Sequence, residues 1–308
     1  MLRPRALRSG DKVAIVSPAS PFVRAEFDAG VDELRRLGLE PVWDERVFAR
    51  EPMVSGPAAL RAQAFLDALR DPSIAALIAA RGGYGSVEIL PFLDAAEMAR
   101  ARKVLCGFSD ITSLLVYSVC HAGLVAFHGP MLERRLARRD EGYDRASFVK
   151  ALFEPAPMGR LAPAGLEVLR EGAAEGILAG GTLTQIAAGL GTPYGLRLDQ
   201  PSILFLEDIA ERPYKLRRML TQLRLAGVFD RVTGIVLGTM VDCDEGGLTA
   251  CGVAGRFFEE MPGFDGPILS GFPSGHGSAP LWTLPFGVRA SIDTRAGAAL
   301  TILEPAVD

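Results

Sequence analysis

The sequence predicts an α/β fold on mostly parallel sheets, and three observations carry that reading. Apolar runs of the buried-strand type recur through the first half, helix-periodic stretches separate them, and Gly or Pro stops close the helical stretches. Strands that alternate with helices become parallel neighbours through helical crossovers, which cover both faces of the sheet. With 308 residues, 49% of them hydrophobic, the chain can fill two cores of ordinary size.

In chain order, the expected strands of the first half are residues 13–16, 75–80, 104–106 and 125–127. Phe27, Val31 and Leu34 mark one face of a helix that stops at Gly38, and residues 60–69 form a second that stops before Pro72. From Glu133 to about Gly172 the charged run ERRLARRDEGYDR gives way to EPAPMGRLAPAG, with Pro155, Pro157 and Pro163, which reads as a connection between domains. The expected division is therefore a first domain over 1–135, a linker over 136–172 and a second domain over 173–308. Strand-like runs resume at 202–209, 232–239, 267–272 and 298–305. A helix between the first two of these carries Leu216, Met219, Leu220 and Leu223 at i, i+3, i+4 and i+7. Tyr214, Lys215, Arg217, Arg218 and Arg224 form its solvated or interdomain face.

Composition narrows the function. Net charge is −4, from 37 acidic against 33 basic side chains, so no basic field gathers nucleic acid or an anionic membrane, and a small substrate fits better. No apolar run reaches about 18 residues and the N-terminus has no secretory pattern, so a cytoplasmic location is expected. Cys106, Cys120, Cys243 and Cys251 contain no CxxC pair, and the three histidines, His121, His128 and His276, form no HExxH. Neither a disulfide nor a metal or other cofactor is expected.

Function in parallel α/β sheets collects outside the carboxyl ends of the strands. SPAS (17–20), RGGYGS (81–86) and GFSD (107–110) each follow a strand and can line one crevice. The run KVLCGFSDITSLLVYSV stops a strand at Gly107 and starts a helix after Ser109, which lifts a hydroxyl out at a sharp turn. Ser109 is thus a candidate nucleophile, although an N-capping serine satisfies the same pattern. Its base must come from elsewhere. His276, between Gly275 and Gly277, has backbone freedom and no core to fill; His121, late in the helix after Ser109, and His128, in AFHGPM, are reserves.

Glu207 ends the apolar run SILFL, where a carboxylate is expensive to bury unless a cation or donor meets it. Asp208 points to the other side of the strand, so one of the two faces the crevice. For an oxyanion, the N–H of Asp110 and the turn Gly82-Gly83 are candidate donors. That turn matches neither GxGxxG nor GxxxxGK[ST], which counts against a phosphate cradle.

In this order and at these separations, SPAS, ARGGYGS, GFSDIT, FHGPM, AGGTLT, LFLEDI, ERPYKLRRMLTQL and SGHG resemble the LD-carboxypeptidase family of serine peptidases, over almost the whole chain. The resemblance implies a Ser109, Glu207, His276 triad. It also implies an N-terminal flavodoxin-like domain with the serine, a smaller C-terminal α/β domain with the glutamate and histidine, an active site at their junction, and a homodimer. The implied substrate is a murein-derived peptide, cleaved at the L,D bond to its terminal D-Ala; Arg81 or a base of the 212–224 helix would hold the terminal carboxylate. The family commonly reads GGNL where this chain has Thr182, a change expected to touch a substrate or junction contact and to leave the triad itself alone.

Two rivals use the same residues: an aminoacyl-nucleotide amidase of the microcin C self-immunity type, with Trp282 as a stacking platform, and a non-catalytic ligand-binding protein. The order Ser, Glu, His also fits α/β-hydrolases, but their GxSxG elbow is absent, since Ile111 stands two residues after Ser109.

Overall fold

The structure is a computed structural model that describes residues 1–308. Its first sheet is built from β1 (Lys12–Val16), β2 (Glu40–Trp43), β3 (Ile74–Ala79), β4 (Val104–Gly107) and β5 (Ala126–His128). These five run parallel in the order β2-β1-β3-β4-β5, the doubly wound flavodoxin-like arrangement. The runs VAIV after Lys12 and IAALIA are apolar throughout because both faces are covered. Phe27, Val31 and Leu34 of the helix Arg24–Arg36, and Phe65, Leu66 and Leu69 of the helix Ala58–Arg70, are buried with them in one core.

The remaining strands are β6 (Pro157–Leu161), β7 (Glu167–Arg170), β8 (Ala173–Thr182), β9 (Ser202–Ile209), β10 (Val232–Val241), β11 (Ile268–Phe272), β12 (Leu284–Phe286), β13 (Arg289–Asp293) and β14 (Leu300–Pro305). Eight of them form a second sheet in the order β6-β14-β13-β8-β9-β10-β11-β7, parallel from β8 to β11 and antiparallel toward both edges. Residues 136–172 are more than a connection, since they hold the helix Arg145–Phe153 and both edge strands, β6 and β7. Pro157 fits there because an edge position does not require its missing N–H.

The two sheets are fastened to each other. β12 leaves the second half of the chain and adds antiparallel to β5 of the first sheet, setting Leu284 opposite His128. Phe127, Phe205, Phe272 and Phe286 belong to one continuous core of 65 buried residues that spans both sheets. A separate cluster of 23 lies under the helices Pro213–Leu225 and Ala250–Glu259. The loops after β1, β3 and β4 meet at one end of the first sheet, where the Ser20 N–H donates to the Gly82 carbonyl at 3.1 Å.

Leu284→Ala tests this fastening. The side chain is fully buried, so its truncation is expected to cost about 2–5 kcal/mol, read as a fall in denaturation midpoint. A loss below about 1 kcal/mol would show that the added strand does not share the core.

Candidate active site

Ser109 leaves β4 through extended Phe108 and adopts φ +61°, left-handed for a residue with a Cβ, before a tight turn runs straight into the helix Thr112–Val116. Such a conformation costs on the order of 1–3 kcal/mol and persists only where its surroundings enforce it. Here Asp110 anchors the turn. Its carboxylate accepts from the Ser86 N–H at 2.8 Å, and Ser86 Oγ donates to the Asp110 carbonyl at 2.6 Å. Burial raises the pKa of Asp110 against these donors.

Gly82 lies against Ser109. A Cβ there would stand 2.9 Å from Ser109 Cβ, 3.1 Å from its Oγ and 3.4 Å from the Asp110 nitrogen, so the missing side chain leaves open a space bounded by the hydroxyl and that N–H. Gly83 makes the turn at φ +97°. Arg81 faces elsewhere: it donates to the Pro21 carbonyl at 2.6 Å and stands 3.5 Å from Glu133. Together with Arg50, Ser20, Phe22, Met53 and Tyr84 it lines a hollow of about 420 Å³ on the far side of the glycine turn.

The other two sequence candidates come from the second sheet and meet Ser109. His276 Nε2 is 2.9 Å from Ser109 Oγ, and its Nδ1 is 2.8 Å from Glu207 Oε2, which also accepts the His276 backbone N–H at 3.1 Å. Glu207 is completely buried. Burial alone would raise its pKa, but the hydrogen bond and charge of His276, with a Thr182 hydrogen bond, hold it below the usual carboxylate range. Gly275 permits this approach: its φ is +109°, and a Cβ there would overlap the Glu207 carboxylate.

Asp208, on the opposite side of β9, accepts from Thr184 N and Oγ1 at 2.9 and 2.8 Å. Burial raises its pKa to about 6. His121 sits 3.3 Å from the Gly195 carbonyl and stacks on Tyr117. His128 is fully buried against Phe108, Phe205 and Phe286, neither ring nitrogen has a hydrogen-bond partner, and burial lowers its pKa to about 4, which keeps it neutral. Trp282 packs edge-on to Phe272. In and beside the basic helix, Arg212, Lys215 and Arg217 face Glu245, Glu211 and Glu260 at 3.6, 3.2 and 2.6 Å. No group of three or more His, Cys, Asp or Glu side chains is arranged to hold a metal ion.

Two residues at the site escaped the sequence reading. Arg135, buried although it belongs to the charged run after Glu133, donates to the Gly275 and Gly277 carbonyls at 2.6 and 2.7 Å and so clamps the His276 loop from the first half of the chain. Burial lowers its pKa to about 10. Nothing distinguishes it in sequence from its solvated neighbours. Thr182 corrects an expectation: it does touch the triad candidates, because its Oγ1 donates to Glu207 Oε1. Parallel pairing of β8 with β9 sets the two side by side, and the departure from GGNL was the signal.

Comparison with known proteins agrees with this layout. The profile of the LD-carboxypeptidase N-terminal domain matches residues 13–129, and that of the C-terminal domain matches residues 175–292. A Streptomyces coelicolor relative with a provisional carboxypeptidase name is 36% identical over 314 residues, covering 100% of this chain and 98% of its own. The murein tetrapeptide carboxypeptidase of Pseudomonas aeruginosa is 33% identical over 274 residues, covering 87% and 88%. The solved structure of MccF in complex with glutamyl sulfamoyl guanosine superposes with a TM-score of 0.89 at 25% identity over 100% of both chains.

The left-handed serine gives a test independent of activity. Ser109→Gly, free of the Cβ penalty at φ +61°, is expected to be about 1 kcal/mol more stable than Ser109→Ala in denaturant unfolding. Equal stabilities would show that the turn relaxes once the hydroxyl is gone.

Proposed function

The chain belongs to the LD-carboxypeptidase family, and we propose that it is a serine peptidase whose nucleophile is Ser109, whose base is His276 and whose orienting carboxylate is Glu207. The observation that carries this reading is the pair of contacts on one imidazole, 2.9 Å to the serine hydroxyl and 2.8 Å to a buried, ionised carboxylate. A serine hydroxyl becomes a useful nucleophile when a base takes its proton, and the base works when a third group fixes its tautomer. Glu207 on Nδ1 keeps the proton there, leaving Nε2 as the acceptor facing Ser109.

In the proposed cycle His276 removes the Ser109 proton as Oγ attacks the scissile carbonyl. The developing oxyanion enters the space beside Gly82, where the Asp110 N–H and an N–H of Gly82 or Gly83 donate to it. His276 then protonates the departing amine, and the C–N bond breaks to leave an ester on Ser109. Water enters, gives a proton to the same imidazole and attacks the ester; the C–O bond breaks and His276 returns that proton to Ser109. Glu207 stays charged and stabilises the imidazolium formed in both steps. No cofactor takes part in this scheme.

For the substrate we take a murein tetrapeptide cleaved at the L,D bond that releases terminal D-Ala, on the strength of the Pseudomonas aeruginosa relative. Such peptides carry several carboxylates. Arg81, with Arg50 on the same hollow, is the cationic element we assign to them. The setting that goes with this reading is a cytoplasmic homodimer acting on recycled cell-wall fragments. The likeness to MccF supports a second reading, hydrolysis of an aminoacyl-nucleotide conjugate, but Trp282, the stacking platform that reading would use, packs on Phe272.

Purified protein is expected to release D-Ala from a murein tetrapeptide and to leave aminoacyl sulfamoyl adenosine intact. Ser109→Ala and His276→Ala should each lower kcat by roughly 10⁴-fold or more, and Glu207→Gln by about 10⁴-fold. A serine-directed phosphonate should leave one adduct, on Ser109, that is absent in His276→Ala. Turnover that survives Ser109→Ala would overturn the assignment, and cleavage of the nucleotide conjugate alone would transfer it to the second reading.

A further inference from the structure

A buried carboxylate that stays ionised needs donors on both of its oxygens. In Glu207 the two are served separately. Oε2 receives Nδ1 and the backbone N–H of His276, whereas Oε1 receives the Thr182 hydroxyl alone. Terminal carboxyl torsions are broad, so donors on one oxygen alone do not define the plane of the group. Thr182 supplies the second fixed point from a rigid strand. It is 4% exposed and lies opposite Glu207 in the parallel β8/β9 register.

Thr182 also reaches the other sheet. Its backbone N–H donates to Thr112 Oγ1 at 3.1 Å, and Thr112 opens the helix that starts just beyond Ser109. Hydrogen bonds therefore run from Thr112 through Thr182, Glu207 and His276 to Ser109, and the short chain segment from Ser109 to Thr112 closes the circuit across the domain junction. We propose that Thr182 is a positioning residue for the reaction: its hydroxyl fixes the plane of Glu207, and its N–H registers that carboxylate against the helix of the nucleophile. This assignment rests on the serine-peptidase reading above and adds a residue to it.

The sign of the effect follows from the chemistry. A donor on Oε1 favours the charged form of Glu207. Without it the carboxylate binds protons more readily and also holds the imidazolium more tightly. Both changes demand a higher pH before Glu207 is ionised and His276 is neutral, which is the state that attacks. The acid limb of kcat/KM should therefore move to higher pH.

Thr182→Val keeps the β-branched shape and deletes the hydroxyl, while Thr182→Ser keeps the hydroxyl and deletes a methyl. With a murein tetrapeptide as substrate, Thr182→Val is expected to lose about 10- to 100-fold in kcat, the scale of one charge-assisted hydrogen bond, with KM changed by less than about twofold. Its acid limb should rise by roughly half to one pH unit. Phosphonate labelling of Ser109 should slow in parallel, and Thr182→Ser should restore the wild-type limb and most of the rate. If Thr182→Val does not fold, Thr182→Ala is read in its place by the same profile. Wild-type kcat and an unmoved limb in the hydroxyl-free variant would overturn the proposal. Equal losses in the valine and serine variants would overturn it too, by assigning the effect to packing. Failure of the parent reading looks different: the wild type would then release no D-Ala, or would do so without Ser109.

Discussion

One carboxylate without solvent contact governs the architecture around it. An ionised side chain withdrawn from water costs several kcal/mol unless its oxygens are met by donors, and Glu207 is met by His276 twice and by Thr182 once. That requirement dictates local sequence. Gly275 is needed because any side chain there would overlap the carboxylate. The small residue at the end of β8, Thr182, supplies a donor of short reach. The loop that carries His276 cannot drift, since its own N–H is one of the three donors.

The same constraint explains how the two sheets are joined. The proposed nucleophile from the first sheet and the proposed base from the second could work together only if their separation were fixed to a fraction of an ångström, because proton transfer falls off steeply with misplacement. Several independent ties achieve this. Arg135 reaches from the first half to hold the carbonyls on either side of His276, Thr112 accepts from the end of β8, and β12 adds to β5 while its Phe286 packs near Phe205 of the second sheet. Phe108, next to Ser109, meets the His276 ring at 5.2 Å between centroids and lies under the Arg135 guanidinium.

Legibility in the sequence followed the physics of each feature. Buried parallel strands announce themselves as unbroken apolar runs, so the cores of β1, β3, β4 and β9 were readable to within a residue or two. Ser109 and His276 stood out by type and local setting, a strand-to-helix serine and a glycine-flanked histidine, whereas Glu207 and Asp208 share one strand end and the family resemblance was what chose between them. What failed to show were features that exist only through distant pairing. β6 and β7 lie in a proline-rich, charged stretch that carries no strand signal of its own, because edge strands need neither apolar faces nor every N–H. The insertion of β12 into the first sheet depends on a return of the chain that no local pattern encodes. Arg135 is one arginine among several, and only its burial sets it apart. Thr182 was visible as a departure from GGNL, but its consequence depended on the β8/β9 register, which aligns it with a residue 25 positions later.

The topology of the first sheet bears on where a substrate enters. In doubly wound sheets the crevice opens where the strand order reverses, here between β1 and β3. Ser20 follows β1 and the Gly82-Gly83 turn follows β3, and the two loops are bound together by the Ser20 N–H to Gly82 carbonyl bond. Ser109 comes from the next strand over, β4, so it stands beside the switch point rather than in it. Gly82 borders Ser109 Oγ, while Arg81 before it and Tyr84 after Gly83 line the 420 Å³ hollow with Arg50 and Ser20. Under the proposed reading, a ligand held at that crevice would present its next bond to the Ser109 hydroxyl across a residue with no side chain. The general rule for where such folds bind and the unobstructed oxyanion space that the proposed acyl transfer needs converge on the same glycine.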